Sequence, residues 1–251
     1  MHRWLQFFRI VNLPTVPGDV FVGAAAVIAG VVIGRGGALD FSPSVILAAA
    51  VASCAIYLFG LADNDIVGAA QGGPERPIPS GAISLPAARV ARGLCLFAAL
   101  IIGAAMNLPP MWWIAAFLLA VCVVVYNRTK WCLAMGLCRG LDVICGGAAL
   151  LSSGCRGEQM WSRYLLLGAA IVWLLYISAV TIYSKGEEDD PVRRRRVGFL
   201  IGAIIYLQLI ALFVCYYLVP TIATRNLLLA GAGMLIALRF LKRTLPKVSA
   251  S

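Results

Sequence analysis

The sequence predicts an all-α protein, a polytopic transmembrane bundle of about eight helices around a central cavity. Three observations predict it. Hydrophobic residues make up 61% of the 251 positions and charged residues only 13%, with a mean hydropathy of +0.90. So few charges cannot coat a water-facing surface, which excludes a soluble globule and a nucleic-acid binder. Apolar stretches of membrane-spanning length recur over 16–34, 44–62, 85–105, 110–126, 133–152, 163–183, 197–219 and 221–241. Finally, 17 of the 21 Lys and Arg residues fall at the ends that share a face with the N-terminus. That asymmetry predicts an integral, multi-pass membrane protein with both termini cytoplasmic, and it makes the net charge of +10 a matter of topology first.

Taken in chain order, residues 1–13 mix Arg3 and Arg9 with Trp4, Leu5, Phe7 and Phe8 and lack the small-residue cleavage site of a signal peptide. They read as an interfacial amphipathic helix leading into the first span. Asp19 lies within that span with no local partner, which makes it a cavity candidate.

The second span closes on Asp63, Asn64 and Asp65, three oxygen-bearing side chains at the membrane surface. Such a set suits Mg²⁺ shared with substrate phosphates; a helix end with solvated acids is the plain alternative. Gly68, Gly72 and Gly73 loosen the following loop, and ERPIPSG (75–81) stiffens it through Pro77 and Pro79. Ser84 is placed to cap the third span, with Pro86 in its first turn. Arg76, on the stiff segment, is a candidate for holding an anion near the acids.

Between the fourth and fifth spans, YNRTKW (126–131) presents Tyr126, Asn127, Arg128 and Lys130 on one cytoplasmic face, the cations either as phosphate ligands or as topology anchors. In the fifth span, Arg139 and Asp142 stand at i and i+3 and would neutralise one another or line a cavity. After the sixth span, Lys185 precedes the acidic run Glu187 to Asp190, and Arg193 to Arg196 follow Pro191. This is a self-paired solvated loop or, if the helix continues, a source of acids for a second Mg²⁺. The two acidic segments each follow the second helix of a group of four, so Asp65 and Asp189 would face one another across a pseudo-two-fold repeat.

The eight cysteines lie mostly in or beside apolar spans without any CxxC, which supports packing rather than disulfides or zinc. The single histidine, His2, removes histidine-based triads and HExxH metal sites.

These motifs, in this order, resemble the UbiA superfamily of membrane prenyltransferases over roughly residues 9–196. The loop after the second span reads Asn64-Asp65 … Arg76-Pro77-Ile78-Pro79-Ser80-Gly81-Ala82-Ile83-Ser84, closest in wording to the chlorophyll synthase-like bacterial branch. Arg9 and Asn12 match the family's R-x-x-N pattern, YNRTK (126–130) its basic loop, and MGLCRGLDVICGGA (135–148) its fifth helix. Two departures stand out: Gly68 and Gly72 occupy later acidic positions of the first motif, and Ile182 stands where the second motif's first acid is expected, leaving Glu187 and Asp189 as its equivalents.

The resemblance implies a single domain over 1–251 that transfers a prenyl group from an isoprenyl diphosphate to a small aromatic or polar acceptor, in the lipid bilayer of a bacterial inner membrane. Mg²⁺ would be held by Asp63, Asn64, Asp65, Glu187 and Asp189, and the diphosphate by Arg76, Arg128, Lys130 and Lys185. Asn12, Asp65, Tyr126 and Lys130 would carry catalysis, with Tyr183 beside the allyl cation and Asp19, Arg139 and Asp142 as polar cavity groups. The alternative is a degenerate, non-catalytic relative that binds or transports lipid.

Overall fold

The computed structural model describes residues 2–35, 42–70, 76–151, 159–185 and 190–244. Among them, a short helix α1 (His2–Phe7) and a 3-10 turn (Ile10–Asn12) precede eight long helices: α2 (Thr15–Arg35), α3 (Pro43–Val67), α4 (Leu85–Ala105), α5 (Pro110–Thr129), α6 (Cys132–Leu151), α7 (Gln159–Ser184), α8 (Pro191–Leu218) and α9 (Ile222–Thr244). All eight are long and apolar enough to cross a membrane, as expected.

Several helices outrun the expected spans, and the extensions matter. α3 continues to Val67, so Asp63, Asn64 and Asp65 belong to its last turns rather than to a loop. α5 absorbs Tyr126 to Thr129, and α8 begins at Pro191, which places the arginine run in its first turns. Ser84 caps α4 as anticipated, accepting from the Ala87 amide at 3.4 Å.

α2 is the axis of the bundle, packed against α3, α6, α7, α8 and α9. Its crossing with α6 is very close because two glycines face one another's backbones. A Cβ on Gly23 would overlap the Val143 carbonyl oxygen, and one on Gly146 would overlap that of Val20. α4 lies at the periphery, where Val90, Leu94, Phe97 and Ile101 project outwards as a lipid-facing stripe.

The N-terminal segment is docked on the bundle. Phe7 is fully buried against Ala62, Ile83 and Ala88, with Phe8 and Ile78 packed beside them. α1 is thus docked on the ends of α3 and α4 and on the 76–84 loop, held by the stacked Trp4, Phe7 and Phe8 rings. The seven described cysteines are free.

Candidate functional site

Three consecutive helical residues point about 100° apart, so the acids of α3 cannot share one direction. Asp63 turns toward α4 and α5: Oδ1 accepts from Arg92 at 2.9 Å and Oδ2 from the Asn127 amide at 3.0 Å, with Arg128 at 3.7 Å. Asn127 also donates to the Gly60 carbonyl, which ties the end of α5 to α3. Asn64 faces a cavity, its amide oxygen bonded by the Lys130 ammonium. Asp65 meets Arg9 at 3.3 Å. Both oxygens of Asp63 thus have cationic or amide partners, whereas Asp65 has one arginine and Asn64 one lysine. Among the described residues no cluster of three or more acids, cysteines or histidines is placed to hold a metal.

Three cations converge beside Asn64. Lys130 caps α5 in the left-handed conformation (φ 52°), which swings its side chain back over the Tyr126 ring, 5.3 Å from the centroid. Burial, and then repulsion from Arg9 and Arg76, hold its ammonium below the usual lysine range. Arg76 reaches over Gly68: a Cβ there would lie 3.2 Å from its guanidinium. The position where the first acidic motif lacks its next acid is thus next to a cation that would have paired with it. Arg128 points instead at Asp63 and the Val124 carbonyl, away from the cavity.

The cavity has a volume of about 370 Å³. Arg9, Asn12, Asn64 and Tyr126 form its mouth on one side; Thr181 and Ser184 of α7 border it on the other. The end of α3 and the end of α7 therefore open onto the same space. Glu187 and Asp189, which continue from α7, lie outside the described residues. Asp190 caps α8, accepting from the Val192 and Arg193 amides at 2.9 and 3.1 Å, and the Arg193 amide above all holds its carboxyl below the usual range. The Lys185 carbonyl accepts from Arg193 at 2.9 Å, and its ammonium side is exposed rather than on the cavity wall. Tyr183 faces the Arg193 guanidinium at 5.6 Å instead of the cavity, which removes it from the expected place beside a bound cation.

Below the mouth, the ion pairing differs from the sequence reading. Arg139 pairs with Asp19 at 2.9 Å, not with Asp142, and also donates to the Thr15 hydroxyl at 3.0 Å. Asp19 is far from unpartnered: its Oδ1 accepts from the Trp173 indole and from Gln208, each at 2.6 Å. Gln208 donates further to the Thr15 carbonyl at 2.7 Å. Asp142 lines the cavity with Ser53 beside it. Sequence reasoning missed Tyr57, Trp173 and Gln208, took Arg92 only as a topology residue, and placed Asn127 on the cytoplasmic face without its partners. Only Gln208 gave a signal, as an uncharged amide in the middle of an apolar span.

By sequence, no family model and no curated protein matches the chain. By structure, it is similar over 100% of its length to a digeranylgeranylglyceryl phosphate synthase, at 17% identity and a TM-score of 0.54, covering 93% of that chain. It is similar over 99% of its length to a UbiA homologue from Archaeoglobus fulgidus bound to GPP and Mg²⁺ (16% identity, TM-score 0.55, 95% of that chain). The same homologue bound to DMAPP and Mg²⁺ gives 15% identity and the same TM-score of 0.55. At these identities the likeness establishes the fold, and the chain has the helical membrane fold of the UbiA homologues.

Proposed function

We propose that the protein is a membrane prenyltransferase that takes an isoprenyl diphosphate at the mouth of this cavity. The observation that carries the reading is that Arg76 and Lys130 gather beside Arg9 and Asn64, which line one end of an apolar cavity. A diphosphate needs the cations and its hydrocarbon tail needs the apolar walls, here Ile56, Leu119, Val123 and Ile204. The structural relatives support it, since a homologue of this fold binds GPP or DMAPP together with Mg²⁺.

Asn64 and Asp65 offer oxygen-only donors of the kind Mg²⁺ takes, and with Glu187 and Asp189 they would hold it; when bound, the ion would neutralise charge on the leaving diphosphate. The remaining work belongs to this chain's residues. Lys130, Arg76 and Arg9 bind the diphosphate oxygens and stabilise the leaving group as the C–O bond breaks with its electron pair going to oxygen. The Tyr126 ring and the Asn12 amide flank the allylic carbon as positive charge develops. The acceptor's electron pair then forms the new C–C or C–O bond and the acceptor loses a proton. The 76–84 loop, tied down by the Ile83 amide on the Pro77 carbonyl and by Phe7, shields the site from water. The mouth lies in the cytoplasm, in a bacterial inner membrane, on the strength of the basic residues gathered at that end.

One observation favours a second reading, a non-catalytic lipid-binding protein. Both α3 carboxylates are paired with arginines, and Gly68 leaves the motif an acid short. The two readings separate when the purified protein is incubated with labelled geranyl, farnesyl and geranylgeranyl diphosphates and a pool of acceptors, with and without Mg²⁺. Mg²⁺-dependent binding and pyrophosphate release are expected. Binding that ignores Mg²⁺, with no release from any donor, would leave only the lipid-binding reading.

A further inference from the structure

We propose that the cleft between the basic ends of α8 and α9 is a binding site for the headgroup of an anionic phospholipid, separate from the cavity and independent of the reaction carried out there.

Two contacts build it. The Arg239 guanidinium of α9 donates to the Tyr206 hydroxyl of α8 at 2.8 Å and stands 6.0 Å from the centroid of its ring. One turn on, the Lys242 ammonium lies over Gly202, where a Cβ would come within 3.7 Å of it. α9 thus lays two cations on a helix that opens with four arginines of its own, Arg193 to Arg196. Arg195, Phe199, Gly202 and Tyr206 are spaced i, i+4, i+7 and i+11, so they share one stripe of α8, and Arg195 continues the cleft toward the helix start.

Like charges gathered on packed helices repel one another unless an anion lies between them. Among the described residues no carboxylate pairs with Arg195, Arg239 or Lys242, whereas the arginines around the end of α3 have Asp63 and Asp65. The donors are unspent as well. Tyr206 accepts from Arg239 and so keeps its own proton to give, Arg239 keeps further N–H groups, and Lys242 meets no acceptor among the described residues. A guanidinium, an ammonium and a hydroxyl on one cleft match the oxygens of a phosphodiester. Topology alone asks for basic residues at this end of the bundle, not for a shared cleft.

Depth selects a lipid. At 1.5 Å per residue, Arg239 and Lys242 come about 26 and 30 Å from the start of α9 at Ile222, which is the thickness of a hydrocarbon core of about 30 Å. The cleft therefore opens at the plane of the lipid phosphates. Beside it Phe199 and Phe240 are 75% and 63% exposed, a surface for acyl chains. A phosphate that reaches these cations from that plane, with hydrocarbon next to it, belongs to a phospholipid.

The full chain in detergent, titrated with phosphatidylglycerol, phosphatidylcholine or inorganic phosphate, tests the site by native mass spectrometry and thermal unfolding. One phosphatidylglycerol is expected to be retained about tenfold more tightly than phosphatidylcholine and to raise the unfolding temperature, and inorganic phosphate at the same concentration to do neither. In the double variant Arg239→Gln, Lys242→Gln the preference should fall to about twofold or less, and in Tyr206→Phe to a value between, because the ring stays and the hydroxyl goes. Arg89→Gln, which alters an exposed arginine of α4 at the same end of the bundle, should leave the preference intact. Equal retention of the two lipids would overturn the site. So would a loss in Arg89→Gln as large as in the double variant, which means diffuse surface charge, or equal stabilisation by inorganic phosphate, which means a free-ion site. Displacement of the lipid by geranyl diphosphate would place it in the cavity, and capture of a second copy of the chain in its place would make the cleft a dimer contact; either result would also overturn the proposal.

Discussion

Asp19 and Asp65 are both carboxylates carried by membrane-crossing helices, and the protein surrounds them in opposite ways. Asp19 is fully buried and has a partner on every side: Arg139 on one oxygen, Trp173 and Gln208 on the other. Asp65, at the mouth, meets Arg9 through one oxygen at 3.3 Å, and that arginine is itself partly exposed. Partners drawn from three other helices mark the first as a structural tie that joins α2, α6, α7 and α8; a single partly exposed arginine marks the second as a group that can change partners. The difference teaches that a charge inside a membrane protein is not evidence of function by itself. What counts is how many of its lone pairs the fold leaves unused.

The largest effect expected from breaking this contrast is at Asp19. Asp19→Ala strands Arg139 in the bundle with only a hydroxyl partner and leaves Trp173 and Gln208 without their acceptor. Loss of one member of a buried pair costs about 3–5 kcal/mol. Thermal unfolding in detergent should show a collapse of the transition or no monodisperse protein at all, with Asp19→Asn intermediate because its amide oxygen still accepts from Trp173. An unchanged transition in Asp19→Ala would mean that the network does not hold the helices together.

Asp65→Ala should do the reverse. It removes a half-satisfied side chain at a helix end, so the unfolding temperature moves by a few degrees at most, whereas Mg²⁺-dependent pyrophosphate release is abolished. Full turnover in that variant would remove Asp65 from the metal site and return the chain to the lipid-binding reading.

Asp63 sits between the two. Its partners, Arg92 on α4 and Asn127 on α5, are cross-helix ties, so Asp63→Asn weakens the junction that aims Lys130 at Asn64. A loss of about 1–3 kcal/mol in stability is expected for the broken charge-assisted bonds. Diphosphate affinity should fall in step with the displacement of Lys130 rather than through lost metal. Asp63→Asn that weakens Mg²⁺ binding while leaving stability intact would restore the ligand role that the sequence suggested.

The eight spans were legible because apolar length alone decides them, as the 25-residue α3 and 28-residue α8 show. The mouth was partly legible: Asn64, Lys130 and Arg76 were found as motif residues, and the structure sets Lys130 on Asn64, which lines the cavity, and Arg76 over Gly68 at the end of the same helix. What was not legible was partnership. Asp142 stands three residues from Arg139, and local spacing made them a pair; the tertiary fold instead gives Arg139 to Asp19, which is 120 positions away in the chain. Likewise Asp63, Asn64 and Asp65 looked like one cluster, until continuation of α3 through Val67 fanned them out in three directions. Helical rotation and long-range crossing are invisible to a linear motif, which is why the sequence picks out polar residues but not their partners.

The smallest effect, and the one most specific to the mouth, concerns the charge on Lys130. Burial and the nearby Arg9 and Arg76 hold its folded pKa below that of an ordinary lysine. A diphosphate prefers the ammonium form, so the affinity it gains from Lys130 is fully present below that pKa and is lost as pH rises through it. The fall should therefore begin at a lower pH than a free lysine would give, and isotherms with geranyl diphosphate taken from neutrality upward, where the ligand itself is already ionised, will show where. Lys130→Arg should flatten the profile, since a guanidinium stays charged throughout. Arg76→Gln should move the fall to higher pH, because it deletes one of the repulsive neighbours, even as it weakens binding overall. If the profile is already flat in the unaltered protein, or shifts downward in Arg76→Gln, then the three cations do not share one anion site, and the mouth loses the electrostatic distinction that sets it apart from the buried network around Asp19.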